Sequence, residues 1–174
     1  MVTMNPAGVV HMGSFSKVLT PGIRLGYVIA PQPLVRKMEQ AKQATDLHTA
    51  TLTQMVVLEV IKDGFLDQHI PTIRALYADQ CAAMLAALTE FFPAGVTWTR
   101  PTGGMFIWVT LPEHIDSMQL LDEAVARNVA FVPGTPFYAN NPVRNTFRLS
   151  FVTVSTEKIR EGIALLGQLI AAKI

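Results

Sequence analysis

From Phe65 to Phe92 the apolar residues of this chain fall at Leu66, Ile70, Ile73, Leu76, Tyr77, Met84, Leu85, Leu88 and Phe92. That spacing is helical, and no other stretch is as regular. A long helix with one apolar stripe needs a layer to bury the stripe against, so it constrains everything that follows it. Pro71 lies inside the stripe and is expected to bend the helix or mark a new start. After Pro93-Ala-Gly95 the pattern changes to short apolar runs. Val96–Thr99 and Met105–Thr110 read as strands joined by Arg100-Pro-Thr-Gly-Gly104, with Gly103-Gly104 as a turn. Asp116 reads as the cap of a helix from Ser117 to about Asn128, with Gln119 as its capping-box partner. Val129–Val132 and Thr146–Phe151 read as further strands, separated by a loop rich in Pro, Asn and Gly. Ser155 caps a last helix whose inner face is Ile159, Ile163, Leu166 and Ile170. This part therefore reads as an α+β unit of short strands packed by helices.

The first 30 residues have a different character. Val9–Met12 and Leu25–Ala30 are short apolar runs on either side of a polar loop. A strand–loop–strand piece cannot bury both of its faces alone, so these read as two strands of something larger. A helix opening at Pro33 runs to about Ala44, and residues 50 to 62 read as another with Leu52, Met55, Val56 and Glu59 at helical spacing.

Composition narrows the class. The chain has 174 residues, 50% of them hydrophobic and 16% charged. Soluble domains average about 25% charged, so this chain is apolar enough to build a core, and general disorder is excluded. Fourteen Lys and Arg against thirteen Asp and Glu leave a net charge of +1. That balance argues against nucleic acid or an anionic membrane as the main partner of this segment. A single Cys81 excludes an internal disulfide and a multi-cysteine metal site, and the four histidines have no ligand spacing. No metal is expected. There is no apolar run long enough to span a membrane and no secretory leader pattern at Met1, so the cytoplasm is the expected compartment.

The chemistry is concentrated in one loop. Gly13-Ser14-Phe15-Ser16-Lys17 is followed by Val18-Leu19-Thr20-Pro21-Gly22-Ile23-Arg24. A lone lysine is ordinarily an exposed, solvated residue. A lysine held in a partly desolvated loop beside another cation keeps more of its amine neutral, and a neutral amine condenses with a carbonyl. Hydroxyls and a guanidinium on the same loop suit a phosphate. A ligand carrying both an aldehyde and a phosphate is pyridoxal 5′-phosphate.

The run from Gly13 through Lys17 and Arg24 to Tyr27 resembles the cofactor-lysine motif of class I/II (fold type I) pyridoxal-phosphate aminotransferases. Within these it is most similar to the subgroup of 2-aminoadipate, aromatic and branched-chain aminotransferases. By that resemblance Lys17 is the lysine that condenses with the cofactor aldehyde and is the catalytic residue. Ser14 and Arg24 hold the cofactor phosphate, and Ser16 is a further candidate. Arg100–Trp108 resembles the family's strand entering the C-terminal domain, and Val132–Phe137 resembles the loop that returns towards the active site. Asn145–Phe151 resembles the segment whose arginine binds the substrate α-carboxylate, which makes Arg148 the substrate-binding candidate. An arginine offers two parallel donors in a fixed plane, which lysine cannot. Read from the residues alone, Arg148 is better taken as an ordinary strand arginine on a solvated face. Trp98, Trp108 and the phenylalanines read mostly as core, and Tyr138 as a packing residue that could face substrate.

The resemblance implies a fold and an activity. The fold is an α/β fragment: the last strands of a fold type I large domain, then an α+β small C-terminal domain. Residues 1–44 would close the large cofactor-binding domain. Residues 45–174 would form the small domain, including the long interdomain helix. The family's partner for the pyridine nitrogen, its ring-stacking aromatic and a further phosphate contact would precede Met1, so the site is expected to be incomplete here. The activity is transfer of an amino group between an amino acid and a 2-oxo acid, by a homodimer when full length. The alternative is the cofactor-binding sensor domain of a GntR/MocR-type transcription regulator. A related pyridoxal-phosphate lyase or synthase is a further possibility that product analysis would separate.

Overall fold

The computed structural model describes residues 8–174. They pack as two units, one ending at Thr72 and one running from Ile73 to Ile174. In the first, β1 (His11–Ser14) pairs antiparallel with β2 (Gly26–Ile29), with Ser14 opposite Gly26 and His11 opposite Ile29. The strands begin and end within two residues of the expected runs. Helices α1 (Gln32–Thr45) and α2 (Thr51–Ile61) follow, α1 with a proline in its first turn. The unit has almost no core of its own. Val57 is its one buried apolar residue among those described, while Met12, Leu52, Met55 and Leu58 are all more than 60% exposed. Val57 lies off the stripe expected from Leu52, Met55 and Val56. Helix α2 is apolar on nearly every side, so spacing does not select a single inner face.

Helix α3 (Phe65–Phe91) continues through Pro71 without interruption. The division of contacts falls directly after that proline, between Thr72 and Ile73. This grouping of contacts differs in kind from the domain boundary read at 44/45, which concerns a whole parent protein. The later half of α3 buries Gln80, Met84, Ala87 and Leu88, whereas Leu76, earlier in the stripe, is exposed. Gln80 was not legible as an inner residue. Its amide N–H donates to the Val154 carbonyl at 2.7 Å, which offsets part of the cost of burying it, while its Oε1 is buried without a partner among the described residues.

The second unit is built on a four-stranded antiparallel sheet in the order β3-β4-β6-β5. Its strands are β3 (Thr97–Trp98), β4 (Phe106–Thr110), β5 (Val132–Pro133) and β6 (Thr146–Ser150). Alternation decides the two faces. Ile107 and Val109 of β4, with Phe147 and Leu149 of β6, are buried against the helices. The core is completed by Leu120 and Ala124 of α4 (Ser117–Val125) and by Ile159, Ile163, Leu166 and Ile170 of α5 (Thr156–Ala171). The four expected inner residues of α5 are all buried. Both caps are formed: Asp116 accepts from the Met118 N–H at 2.8 Å, and Ser155 accepts from the Lys158 N–H at 3.4 Å. Helix α4 ends three residues short of the expected Asn128, which takes a left-handed φ of 61° in the turn beyond it. Strand β5 is accordingly later and shorter than the expected Val129–Val132. Among the described residues no helix is long and apolar enough to cross a membrane.

Candidate active site

The lysine loop is closed by the β1–β2 ladder. The Phe15 N–H donates to the Leu25 carbonyl at 3.0 Å, one step beyond the Ser14–Gly26 pair. The chain from 15 to 25 therefore leaves and returns at one end of the strand pair. Ser14, Ser16, Lys17 and Arg24 are all placed there. The Leu19 N–H donates back to the Phe15 carbonyl at 2.9 Å, so Lys17 stands in the middle of a tight turn. The Ser16 N–H donates to Ser14 Oγ at 3.2 Å. A short 3-10 turn, Pro21–Ile23, then reverses the chain, and Arg24 leaves it in the left-handed region with φ 50°. The Arg24 guanidinium donates to the Pro21 carbonyl at 3.2 Å, which ties it to its own turn.

One physical expectation is corrected. Lys17, Ser14 and Arg24 are exposed and Ser16 is half-buried. The desolvated surroundings expected for the amine are not supplied by the described residues. The reason is that β1 and β2 are exposed on both faces, with no second layer from the described residues of their own unit over the loop. The donor set itself fits a phosphate and an aldehyde. Two hydroxyls, a guanidinium and an amine stand at one end of one hairpin, with no carboxylate among residues 8–31 to compete for the cations.

The second unit carries the other candidate. Arg148 lies in the middle of β6, opposite Trp108 of β4 on one side and Val132 of β5 on the other. The pleat places it on the outer face of the sheet, away from Phe147 and Leu149. Its guanidinium carbon lies 4.0 Å from the centre of the Phe106 ring and 4.7 Å from that of Phe137. Trp108 meets Phe137 edge-on at 5.5 Å and Tyr138 at 6.4 Å. Trp108 is thus half-buried on the outer face, and the expectation that it is core is corrected by the register. Phe106 and Phe137, also read as core, are exposed at 37% and 49%. Among the described residues no carboxylate pairs with Arg148. A half-buried guanidinium with unpaired in-plane donors can take a planar anion.

The sequence model described as aminotransferase class I and II matches residues 2–166. This chain belongs to the class I and II aminotransferases. It is 50% identical, over 162 residues, to aromatic-amino-acid aminotransferase 1 of Thermococcus litoralis, covering 93% of this chain and 39% of that protein. The alpha-aminoadipate aminotransferase of Thermus thermophilus, solved with N-(5′-phosphopyridoxyl)-L-leucine, superposes with a TM-score of 0.90 at 43% identity. The superposition covers 98% of this chain and 44% of that one. An uncharacterized HTH-type transcriptional regulator of Bacillus subtilis is 31% identical over 162 residues, covering 93% of this chain and 33% of its own length. The chain thus spans about two fifths of the length of the aminotransferases it matches. Its α/β fold is that of aminotransferase structures over this part.

Proposed function

We propose that the protein to which this aminotransferase chain corresponds moves an amino group between an amino acid and a 2-oxo acid, using pyridoxal 5′-phosphate. The observation that carries the reading is the gathering of Ser14, Ser16, Lys17 and Arg24 at one end of the β1–β2 hairpin of a family member. Arg24 and the two serines would hold the phosphate, and Lys17 Nζ would meet the aldehyde. When bound, the cofactor supplies an electron sink for the pair left at Cα when its proton departs. The Lys17 amine takes that proton and returns one on the way to product, as base and then acid. Arg148 holds the substrate carboxylate through paired N–H donors and so fixes which Cα bond breaks. Lys17 and Arg148 belong to different units, and each role is argued from its own surroundings.

The same reading divides the chain after residue 44, with the last strands of a large domain before it and a small domain after it. It takes the whole protein to be a cytoplasmic homodimer with no nucleic-acid partner for this segment. The exposed apolar side chains of α2, Leu52, Met55, Leu58 and Val60, support a larger assembly, because so much apolar surface on one helix is ordinarily covered. A sensor domain of a GntR/MocR-type regulator is the second reading. It is favoured by the HTH-type relative, at lower identity than the aminotransferases.

Incubation of the chain with pyridoxal phosphate, borohydride reduction and peptide mapping test the site. Occupancy of the chain alone is expected to stay well below one per molecule, because the loop is unwalled. Lys17 is expected to carry a larger share than any of the other five lysines, and Arg24→Ala is expected to abolish that preference. Label spread evenly over the lysines would overturn the assignment.

A further inference from the structure

We propose that Phe106 and Phe137 are positioning residues for Arg148. Their rings hold its guanidinium in one orientation, so that its N–H edge is presented to a carboxylate before the carboxylate arrives. The inference rests on the reading of Arg148 as the carboxylate-binding group and adds how that group is made ready.

A free arginine side chain loses rotamer entropy on being ordered. Arg148 has no acidic neighbour among the described residues to do the ordering. Arg160 of α5 shows the contrast: it packs over Phe91 and is also gripped by Glu90. At Arg148 two rings replace the carboxylate, at 4.0 and 4.7 Å. Aromatic rings attract the cation through its face, whereas its hydrogen-bond donors lie in its plane. Contact with the rings therefore orders the group without an oxygen acceptor taking up a donor. An ion pair would order it and occupy the donors.

The rings are themselves fixed. Phe106 is on β4, two residues from Trp108 on the same outer face. Phe137 ends the 3-10 turn Thr135–Phe137 that follows β5. The Gly134 N–H donates to the Thr146 carbonyl at 2.7 Å, and the Phe137 N–H donates to the Gly134 carbonyl at 2.9 Å. A Cβ on Gly134 would fall 2.0 Å from Thr146 Oγ1, so only glycine lets this turn press against β6 and bring Phe137 over Arg148. Trp108 braces the Phe137 ring edge-on. Phe106 and Arg148 also stand at the edge of a groove of about 590 Å³ whose other walls are mainly residues 127–132 and 158–166.

The test uses the whole 174-residue chain and 2-oxobutyrate as the probe. The Arg148 Nε–H resonance is followed by NMR, with Arg160, already held by Glu90, as the internal control. In the wild type, Arg148 is expected to be ordered without ligand and to shift on titration. Phe137→Leu and Phe106→Leu are each expected to lower the Arg148 heteronuclear NOE in the free chain and to raise the apparent Kd about threefold, as loss of a partly exposed cation–π contact implies. Phe137→Tyr is expected to restore both. Both rings are partly exposed, so these variants are expected to keep the wild-type far-UV CD spectrum. If the leucine variants leave order and Kd unchanged while Arg148→Ala, read at the indole N–H of Trp108 opposite it, abolishes the response, positioning is wrong and the carboxylate reading stands. If the wild-type Arg148 resonance ignores the probe, or Arg148→Ala titrates as wild type at the Trp108 indole N–H, the carboxylate reading itself is overturned.

Discussion

Identical residue types differ here because of what their atoms touch. Among the described residues Arg148 faces two rings and no carboxylate, Arg24 is tied to a backbone carbonyl, and Arg160 is paired with Glu90. The Arg160 donors hold the Glu90 carboxyl below its ordinary range near 4.5, and Glu90 in turn raises Arg160. A carboxyl lowered in the folded state adds stability that is fully present above its unfolded value and is lost as pH falls through the folded one. The pair joins α3 to α5 within the second unit. Urea midpoints of the wild type and Glu90→Gln are therefore expected to differ at about pH 7 and to converge by about pH 3, with the gap at neutral pH shrinking in high salt. An equal gap at both pH values would show that the pair does not contribute through charge. Lys17 teaches a different lesson at this scale. Its chemistry was legible from its neighbours in sequence. Its exposure was not, because burial depends on a second layer that the loop motif does not encode.

At the scale of elements, the caps show how local signals determine where helices start. Asp116 and Ser155 were both legible, since each stands just before an apolar-periodic run and each side chain accepts a backbone N–H. The capping is one-sided at α4: the bond runs from Met118 to Asp116, and no bond from Gln119 back to Asp116 is formed among the described residues. Ends were less legible. Helix α4 stops at Val125, before the expected Asn128, because Asn128 accommodates a left-handed turn. Asp116→Ala and Ser155→Ala are each expected to destabilise the second unit by about 1 kcal/mol, read as a shift in urea midpoint without a change in slope. The short strands were legible as strands but not in their pairing. Once β4 and β6 pair with Trp108 opposite Arg148, Ile107, Val109, Phe147 and Leu149 turn inward while Phe106, Trp108 and Arg148 turn outward. A slip of one residue would have buried Arg148 and exposed Phe147. That register is why Trp108 and Phe106 belong to the candidate site and not to the core, and the turn after β5 brings Phe137 to them.

Across the whole molecule the two units are unequal. Among the described residues the second has a continuous core of some twenty buried apolar residues, and the first has Val57. Local opening is governed by how much apolar contact must be broken. Amides of β4, β6 and the inner face of α5 are expected to be strongly protected in native-state hydrogen exchange, and those of β1, β2 and α1 to exchange orders of magnitude faster. Uniform protection along the chain would show that the first unit is held by something other than its own core. By itself the sequence determined the family, the lysine loop with its serines and arginine, the helices and their caps, and the α+β character of the second unit. These are legible because each depends on residues near one another in the chain. Tertiary structure alone decided which sheet face carries Arg148, which rings stack on it, that Gln80 is an inner residue, and that the lysine loop stands unwalled. Each of these depends on which distant segment packs opposite, and spacing along one strand or helix carries no record of its partner.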